Sequence, residues 1–220
     1  MGAFGGLLSY SAVVLTISGL LNKSVELMYT TTDKVQIELE QAIALVLAEN
    51  QRVLKSVNAA AIAQLLQALS TTKRIFVEGE GRSGLAMRMA AMRLMHLGLQ
   101  DYVIGETTTP SIQSGDLLIA CSGSGETEGV VAIATKAKAI GARVVAVTTQ
   151  AESTLGEMAD TIVQLNAAAK QDRSQQQSQQ FAGSLFEQST LLLFDALFYV
   201  LAQNMDKSAE TLWSQHTNLE

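Results

Sequence analysis

The sequence is poor in three residue types that often carry structure or chemistry: it has one cysteine, one proline and two histidines in 220 residues. A single cysteine, Cys121, excludes an internal disulfide and fits a reducing compartment, so we expect a cytoplasmic protein. No cysteines and histidines stand at the spacing of a metal site, and neither a metal nor a cofactor is expected. The lone proline, Pro110, falls in a predicted loop.

Positive charge is also scarce, with 15 Lys and Arg against 21 Asp and Glu and a net charge of −6. The basic residues form no run or stripe, which argues against nucleic acid as the main partner. An acidic chain can still bind a phosphate, because local hydrogen-bond donors matter more there than net charge. With 48% hydrophobic residues and no internal repeat, the length suits one substantial domain with a packed core.

The first 27 residues contain no charge before Lys23. A secretory signal normally opens with positive charge, which is missing here. The segment is long enough to cross a bilayer, but Gly, Ser, Tyr and Thr dilute its hydrophobicity. We favour a start site placed too early, with Met28 as the true first residue; an added helix and a membrane segment stay open. We therefore treat 1–27 as an extra segment and 28–220 as a single domain, with no membrane partner expected.

The spacing of apolar residues predicts the fold class. From Asp33 to about Leu69 they recur at three and four positions, which indicates two helices joined near 56–58. Five short, β-rich apolar runs follow, as expected of strands buried on both faces: 74–78, 101–104, 116–121, 143–148 and 161–165. Helical stretches lie between most of them, at 84–97, 127–140 and 154–159. This alternation predicts a three-layer α-β-α sandwich around a five-stranded parallel sheet of flavodoxin-like order 2-1-3-4-5.

The remaining sequence is a polar stretch followed by helices. Residues 171–180 are rich in glutamine and are predicted to form a flexible loop. A long helix is predicted at 185–203 and a short one ending near Trp213, before a polar tail.

Two glycine-rich loops are expected to meet at one edge of this sheet. In order 2-1-3-4-5 the strand order reverses between strands 1 and 3, and ligands bind at the carboxyl ends of those strands. The loops that leave them are GEGRSG (79–84) and SGSGET (122–127). Neither motif is specific alone, but their coincidence favours a binding site.

The loop SGSGET has the composition of a phosphate cradle. Its glycines let the backbone amides approach a ligand, and its hydroxyls stand beside a helix N-terminus, which attracts anions. The candidate substrate-binding residues here are Ser122, Gly123, Ser124, Gly125, Glu126 and Thr127. Because no lysine accompanies them, a monophosphate is favoured over a nucleoside triphosphate. The alternative is that Ser124 is only a helix N-cap, with Glu126 and Glu128 facing the helix dipole.

The loop GEGRSG matches the dinucleotide-binding pattern G-x-G-x-x-G, and Glu106 lies near where the ribose-binding acid belongs. Dinucleotide binding would leave the loop SGSGET unexplained. The chain also has little room for the second half of a dinucleotide-binding fold and a substrate domain. Arg82 is either a surface charge or a cation that steers phosphate and sugar hydroxyls in the crevice.

Candidates for acid–base chemistry are few. Glu187 follows Ser184 at the spacing of a capping box, and a carboxylate at the mouth of an apolar helix is also a candidate general base. His96 falls on an apolar helix face and is predicted to be packed in the core. His216 lies in the polar C-terminal tail. It is either part of a disordered terminus or a functional residue, and the sequence leaves both alternatives open. Cys121 has no basic neighbour in sequence and is interpreted as structural.

Together these segments resemble the sugar isomerase (SIS) domain family, most closely its 6-phospho-3-hexuloisomerases. SGSGET marks the superfamily, and the more specific segments are AMRLMHLG, GETTTP, SLFEQ and the final HTNLE. The resemblance spans 74–220 and implies interconversion of D-arabino-hex-3-ulose 6-phosphate and D-fructose 6-phosphate in the ribulose monophosphate pathway. It also implies a homotetramer built as a dimer of dimers.

The resemblance assigns roles residue by residue. Glu187 falls on the family's base position, and Ser83 with 122–127 falls on its sugar-phosphate contacts, near Arg82. His216 would assist as acid or base, or in ring opening, in its own or a neighbouring subunit's site. One departure is the loop before the catalytic helix, which usually reads Pro-Met-Gly and here reads Phe181-Ala182-Gly183. Another SIS sugar-phosphate isomerase and a non-catalytic sugar-phosphate sensor are the competing interpretations.

Overall fold

The computed structural model describes residues 32–219, so the prediction for 1–27 lies outside the described residues. The chain divides into two compact units, Met1–Leu47 and Ala48–Glu220. The described part of the first unit is the beginning of helix α1, Thr32–Lys55. The second unit contains the end of that helix and all the elements that follow.

The helices of the second unit lie close to the predicted bounds. After α1 they are α2 (Ala59–Thr71), α3 (Gly81–His96), α4 (Glu128–Ile140), α5 (Thr154–Met158), α6 (Ser184–Asn204) and α7 (Ala209–Ser214). The break between α1 and α2 is set by Asn58, whose side-chain oxygen accepts hydrogen bonds from the backbone amides of Ala60 and Ala61. Such an N-cap satisfies amides that have no partner inside the helix.

The strands confirm the predicted architecture. They are β1 (Ile75–Gly79), β2 (Asp101–Val103), β3 (Leu117–Cys121), β4 (Arg143–Thr148) and β5 (Thr161–Gln164). The sheet has order β2-β1-β3-β4-β5, and every pairing is parallel. In the register of β1 with β3, Gly79 lies opposite Cys121. The two glycine-rich loops therefore leave the sheet side by side, as the sequence predicts.

The sheet separates two apolar layers. Ile75 and Val77 of β1 face a core cluster that also contains side chains of α2, α3 and α6. Phe76, between them, faces the opposite cluster, built with α4 and α5. All five residues of β3 are buried, which explains why the central strands are apolar on both faces. Each fully buried Leu or Phe contributes about 1.5–3 kcal/mol to this core.

Helix α6 is, by length and composition, apolar enough to cross a membrane. Its apolar residues Leu185, Phe194 and Leu201 are buried against the core. This burial is what a core helix requires, and it fixes the direction in which the first turn of α6 presents its polar residues. His96, at the end of α3, is also buried, which confirms the prediction of a packed histidine.

Candidate active site

A cavity of about 310 Å³ opens at the carboxyl ends of β1 and β3. Its walls are the loops after these two strands, the segment after β5 and the first turn of α6. Its lining residues are Glu80, Gly81, Arg82, Ser83, Cys121, Ser122, Gly123, Ser124, Thr127, Thr149, Ala168, Ala169, Lys170, Gln171, Gly183, Phe186 and Glu187. The two loops thus meet as predicted, and between them lies a cavity lined by hydroxyl-bearing, glycine and charged residues.

The loop 122–127 is held in a tight turn by its own polar groups. The Ser122 hydroxyl accepts from the Gly125 amide at 3.1 Å and bonds the Thr127 hydroxyl at 2.8 Å. Gly125 has φ +67°, and a side chain there would overlap Ser153. Both observations require glycine at 125, since other residues adopt this conformation at a cost. The Gly123 carbonyl accepts from the Thr149 hydroxyl at 2.8 Å, which ties the loop to the end of β4.

The predicted binding residues of this loop separate into two groups. Ser122, Gly123, Ser124 and Thr127 line the cavity, whereas Gly125 and Glu126 are not among its lining residues. The Glu126 carboxylate instead accepts from the backbone amide and the hydroxyl of Thr154, both at 2.7 Å. Those bonds lower the pKa of Glu126. In this structure Gly125 shapes the turn, and Glu126 links the loop to α5.

Ser124 is not the N-cap of the helix that follows, so that alternative is wrong. The N-cap of α4 is Thr127, and it makes no side-chain capping bond. Ser124 accepts only from the amide of Glu126, at 3.2 Å, within the turn. The first amides of α4 are therefore not satisfied by a side chain of their N-cap. This arrangement suits an anion at the helix N-terminus.

Glu187 lies across the cavity from this loop. It is in the first turn of α6, its side chain is 19% exposed, and its Oε2 accepts from Nε of Arg82. The capping box predicted from Ser184 is wrong, because Gly183 is the N-cap and no side chain caps it. The carboxylate thus faces the cavity and Arg82, where it can accept a proton from a bound substrate.

Arg82 and Ser83 belong to the first turn of α3, and both line the cavity. The glycines around them serve packing: a side chain on Gly84 would overlap the carbonyl oxygen of Gly79. Helix α3 can approach β1 this closely only because Gly84 has no Cβ. Glu106, the proposed ribose ligand, pairs with Arg88. The dinucleotide alternative therefore gains no support, since packing and an ion pair account for its residues.

His216 does not line the cavity of its own chain. Its ring stacks on Trp213 at 5.1 Å and on His96 at 5.4 Å between ring centroids. Within one chain the structure therefore does not bring His216 to Glu187. Its assignment as an acid or base stays a prediction.

Several cavity residues were not predicted from the sequence. Thr149 directly follows β4, and its position at a carboxyl strand end was a usable signal. Glu80 lies inside GEGRSG, where its charge beside Arg82 was a usable signal. Lys170 and Gln171 lie in the segment after β5. The sequence of this segment has no helix or strand periodicity, so its path could not be predicted.

Comparison with known proteins agrees with this geometry. The family model for the SIS domain matches residues 68–198. The chain belongs to the SIS domain family. This SIS protein is 50% identical to a 3-hexulose-6-phosphate isomerase of Mycobacterium gastri over 159 residues, which are 72% of this chain and 80% of that protein. It is 40% identical to the Bacillus subtilis (strain 168) enzyme of the same name over 158 residues, 71% of this chain and 85% of that protein.

A solved structure of a Methanococcus jannaschii protein shares the fold. That structure was described as inferring a function of 3-hexulose-6-phosphate isomerase, and it matches this chain with a TM-score of 0.71 and 32% identity. The match covers 82% of this chain and 99% of that one. The similarity therefore extends over nearly the whole of the other protein.

Proposed function

We propose that this SIS protein is an isomerase that interconverts D-arabino-hex-3-ulose 6-phosphate and D-fructose 6-phosphate through a cis-enediol(ate). One observation carries the proposal: the Glu187 carboxylate faces a cavity whose other wall is a hydroxyl-rich loop at a helix N-terminus. The relatives at 40–50% identity named 3-hexulose-6-phosphate isomerase identify the substrate.

The reaction moves a carbonyl between C3 and C2 and needs no external oxidant or reductant. Starting from the 3-ketose, Glu187 takes the proton from C2, and the electron pair forms the C2–C3 double bond as O3 becomes an enolate or enol. A proton then returns to C3 while the proton of O2 is passed to O3, so that O2 becomes the carbonyl oxygen and O3 a hydroxyl. A positioned carboxylate contributes about 10²–10⁴-fold to such a step.

The substrate phosphate would bind the 122–127 loop. Ser122, Ser124 and Thr127 line the cavity, and the amides at the start of α4 would add donors and a favourable dipole. Arg82 and Ser83 would contact the sugar. Arg82 would also hold the Glu187 carboxylate in position, since its Nε already donates to it.

The chain is proposed to act as a homotetramer, a dimer of dimers, in the cytoplasm, within formaldehyde fixation by the ribulose monophosphate pathway. Exposed apolar side chains on α3, at Leu85, Met89 and Met92, support association of copies. The buried, reduced Cys121 is compatible with a reducing compartment. His216 would act as acid or base at the site of a neighbouring subunit.

A substrate panel tests the proposal. The purified protein is given the 3-ketose 6-phosphate, arabinose 5-phosphate, ribose 5-phosphate and glucose 6-phosphate, with products identified by NMR. We expect turnover of the 3-ketose to fructose 6-phosphate at least about 100-fold above the other substrates. Preference for arabinose 5-phosphate would make the protein a different SIS isomerase, and binding without turnover across the panel would make it a sensor.

A further inference from the structure

The segment between β5 and α6, residues 165–183, forms one wall of the cavity but has no regular structure. Ala168, Ala169, Lys170, Gln171 and Gly183 line the cavity. No helix or strand is assigned within residues 165–183. At its start the Leu165 amide donates to the Thr148 carbonyl and Leu165 is buried in the core, whereas residues 177–180 are held by side chains of α1.

Glu49 of α1 makes three of the side-chain hydrogen bonds to this segment. Its carboxylate accepts from the Ser178 hydroxyl at 2.7 Å, the Gln179 amide at 2.8 Å and the Gln180 side-chain nitrogen at 3.0 Å. One turn later Arg52 donates to the Gln177 carbonyl at 2.5 Å. The glutamine-rich stretch predicted as a flexible loop is thus bonded at four consecutive residues.

The charge state of Glu49 agrees with this geometry. Burial acts to raise the pKa of its carboxyl, but the three bonds from 178–180 and the charge of Arg52 outweigh burial and lower it. Ser178 itself is 7% exposed. A carboxylate that accepts several bonds at a partly buried site holds its donors more firmly than a neutral group would.

The bonded stretch ends next to a strained turn that leads into the catalytic helix. Ala182 has φ +52°, in the left-handed region where a non-glycine residue is disfavoured. Such a conformation persists only when its surroundings hold it. The next residue, Gly183, is the N-cap of α6, and Glu187 follows one turn later. Glu49 therefore holds the chain shortly before the helix that carries the residue that we assign as the base.

We propose that Glu49 is a positioning residue for the site. It does not line the cavity, but it fixes 177–180 so that Lys170 on one side and Glu187 on the other face the same bound sugar phosphate. The catalytic part of this inference rests on the proposed function. If the bonds of Glu49 contributed only to stability, their removal would lower the melting temperature without changing protease access to the segment or the kinetics with substrate.

Trypsin reports the position of the segment directly, because Lys170 and Arg173 are cleavage sites inside it. We compare wild type, Glu49→Gln and Glu49→Ala with Glu40→Gln, an exposed carboxylate on the same helix. Cleavage after Lys170 and Arg173, followed by mass spectrometry, should rise at least about tenfold in Glu49→Ala and less in Glu49→Gln, which keeps one acceptor. Glu40→Gln should be cut as slowly as wild type.

Kinetics on the same four proteins completes the test. We expect KM for the 3-ketose 6-phosphate to rise about 5–20-fold and kcat to fall about 3–10-fold in Glu49→Ala, with partial rescue in Glu49→Gln and melting temperatures within a few degrees. Cleavage rates equal to the control, or faster cleavage with unchanged KM and kcat, would overturn the proposal. If the wild type lacks isomerase activity, the proposed function fails, whereas the cleavage rates still decide whether Glu49 holds the segment.

Discussion

Arg82 donates from its Nε to Oε2 of Glu187, so the first turns of α3 and α6 are joined at the cavity. The two side chains differ in exposure, at 62% for Arg82 and 19% for Glu187. The more exposed guanidinium orients the more buried carboxylate. The guanidinium is planar and rigid, so its other N–H groups have fixed directions relative to this bond. This bond links the first turn of α3, which follows β1, to the proposed base.

Removal of Arg82 should damage catalysis more than stability. In Arg82→Ala the Glu187 carboxylate loses its orienting donor and the site loses a cation, so kcat should fall about 10–100-fold. Thermal unfolding should change little, because ion pairs with an exposed partner contribute at most about 1 kcal/mol. Arg88→Ala is the matched control, since Arg88 lies on the same helix but pairs with Glu106. A kcat within twofold of wild type would remove Arg82 from the mechanism.

Ser124 should contribute to binding rather than to chemistry. Ser124 lines the cavity, and its hydroxyl accepts a local bond from the Glu126 amide. Ser124→Ala should therefore raise KM about 3–20-fold with little change in kcat, as expected for the loss of one bond to a charged phosphate. Ser70→Ala, on the exposed face of α2, serves as the control. An unchanged KM would contradict the phosphate cradle.

Glu80 places a second carboxylate in the cavity, close to the helix that should hold the phosphate. Its Oε1 lies so near Gly129, in the first turn of α4, that a side chain on Gly129 would overlap it. Because like charges repel, Glu80→Gln should tighten binding of inorganic phosphate about 2–5-fold by titration calorimetry. The gain should shrink at high salt.

Glu128→Gln provides the control for this effect. Glu128 stands at the same helix end, so the substitution removes the same charge, but it is exposed and outside the cavity. It should change phosphate binding less than Glu80→Gln does. Equal effects of the two variants would mean that only net charge matters, and that Glu80 does not act through the cavity.

Cys121 should be unreactive in the folded protein although it borders the site. Burial raises the pKa of its thiol to about 12, with a further contribution from the charge of Glu187. The thiolate is the reactive form, so at pH 8 the folded protein should resist iodoacetamide at least about 100-fold longer than the urea-unfolded protein does. Rapid labelling in the native state, read by mass spectrometry, would contradict the structural interpretation of Cys121.

The fold was predictable because each of its signals is local. The five strands are short, mostly apolar runs, and strand β4 has the predicted bounds 143–148. The order of the sheet follows from the alternation of strands and helices, and the meeting of the two loops follows from that order. The family resemblance then assigned the role of base to Glu187, for which spacing alone gave capping and catalysis as alternatives.

What the sequence did not predict depends on contacts between distant residues. The Arg82–Glu187 bond joins positions 105 residues apart, and the bonds of Glu49 reach 129–131 residues along the chain. No periodicity encodes such pairs. The role of Glu126 was missed for the same reason, since its partner Thr154 begins helix α5, 28 residues along the chain.

The most direct test of the central claim follows fructose 6-phosphate formation from the 3-ketose 6-phosphate in wild type and Glu187→Gln. Phosphoglucose isomerase and glucose-6-phosphate dehydrogenase couple the product to NADPH absorbance. The amide keeps the size of the side chain but cannot take a carbon-bound proton. We expect turnover in the wild type and a loss of at least about 10³-fold in kcat for a folded Glu187→Gln that still binds inorganic phosphate. No turnover in the wild type, or near-normal turnover in the variant, would contradict the account.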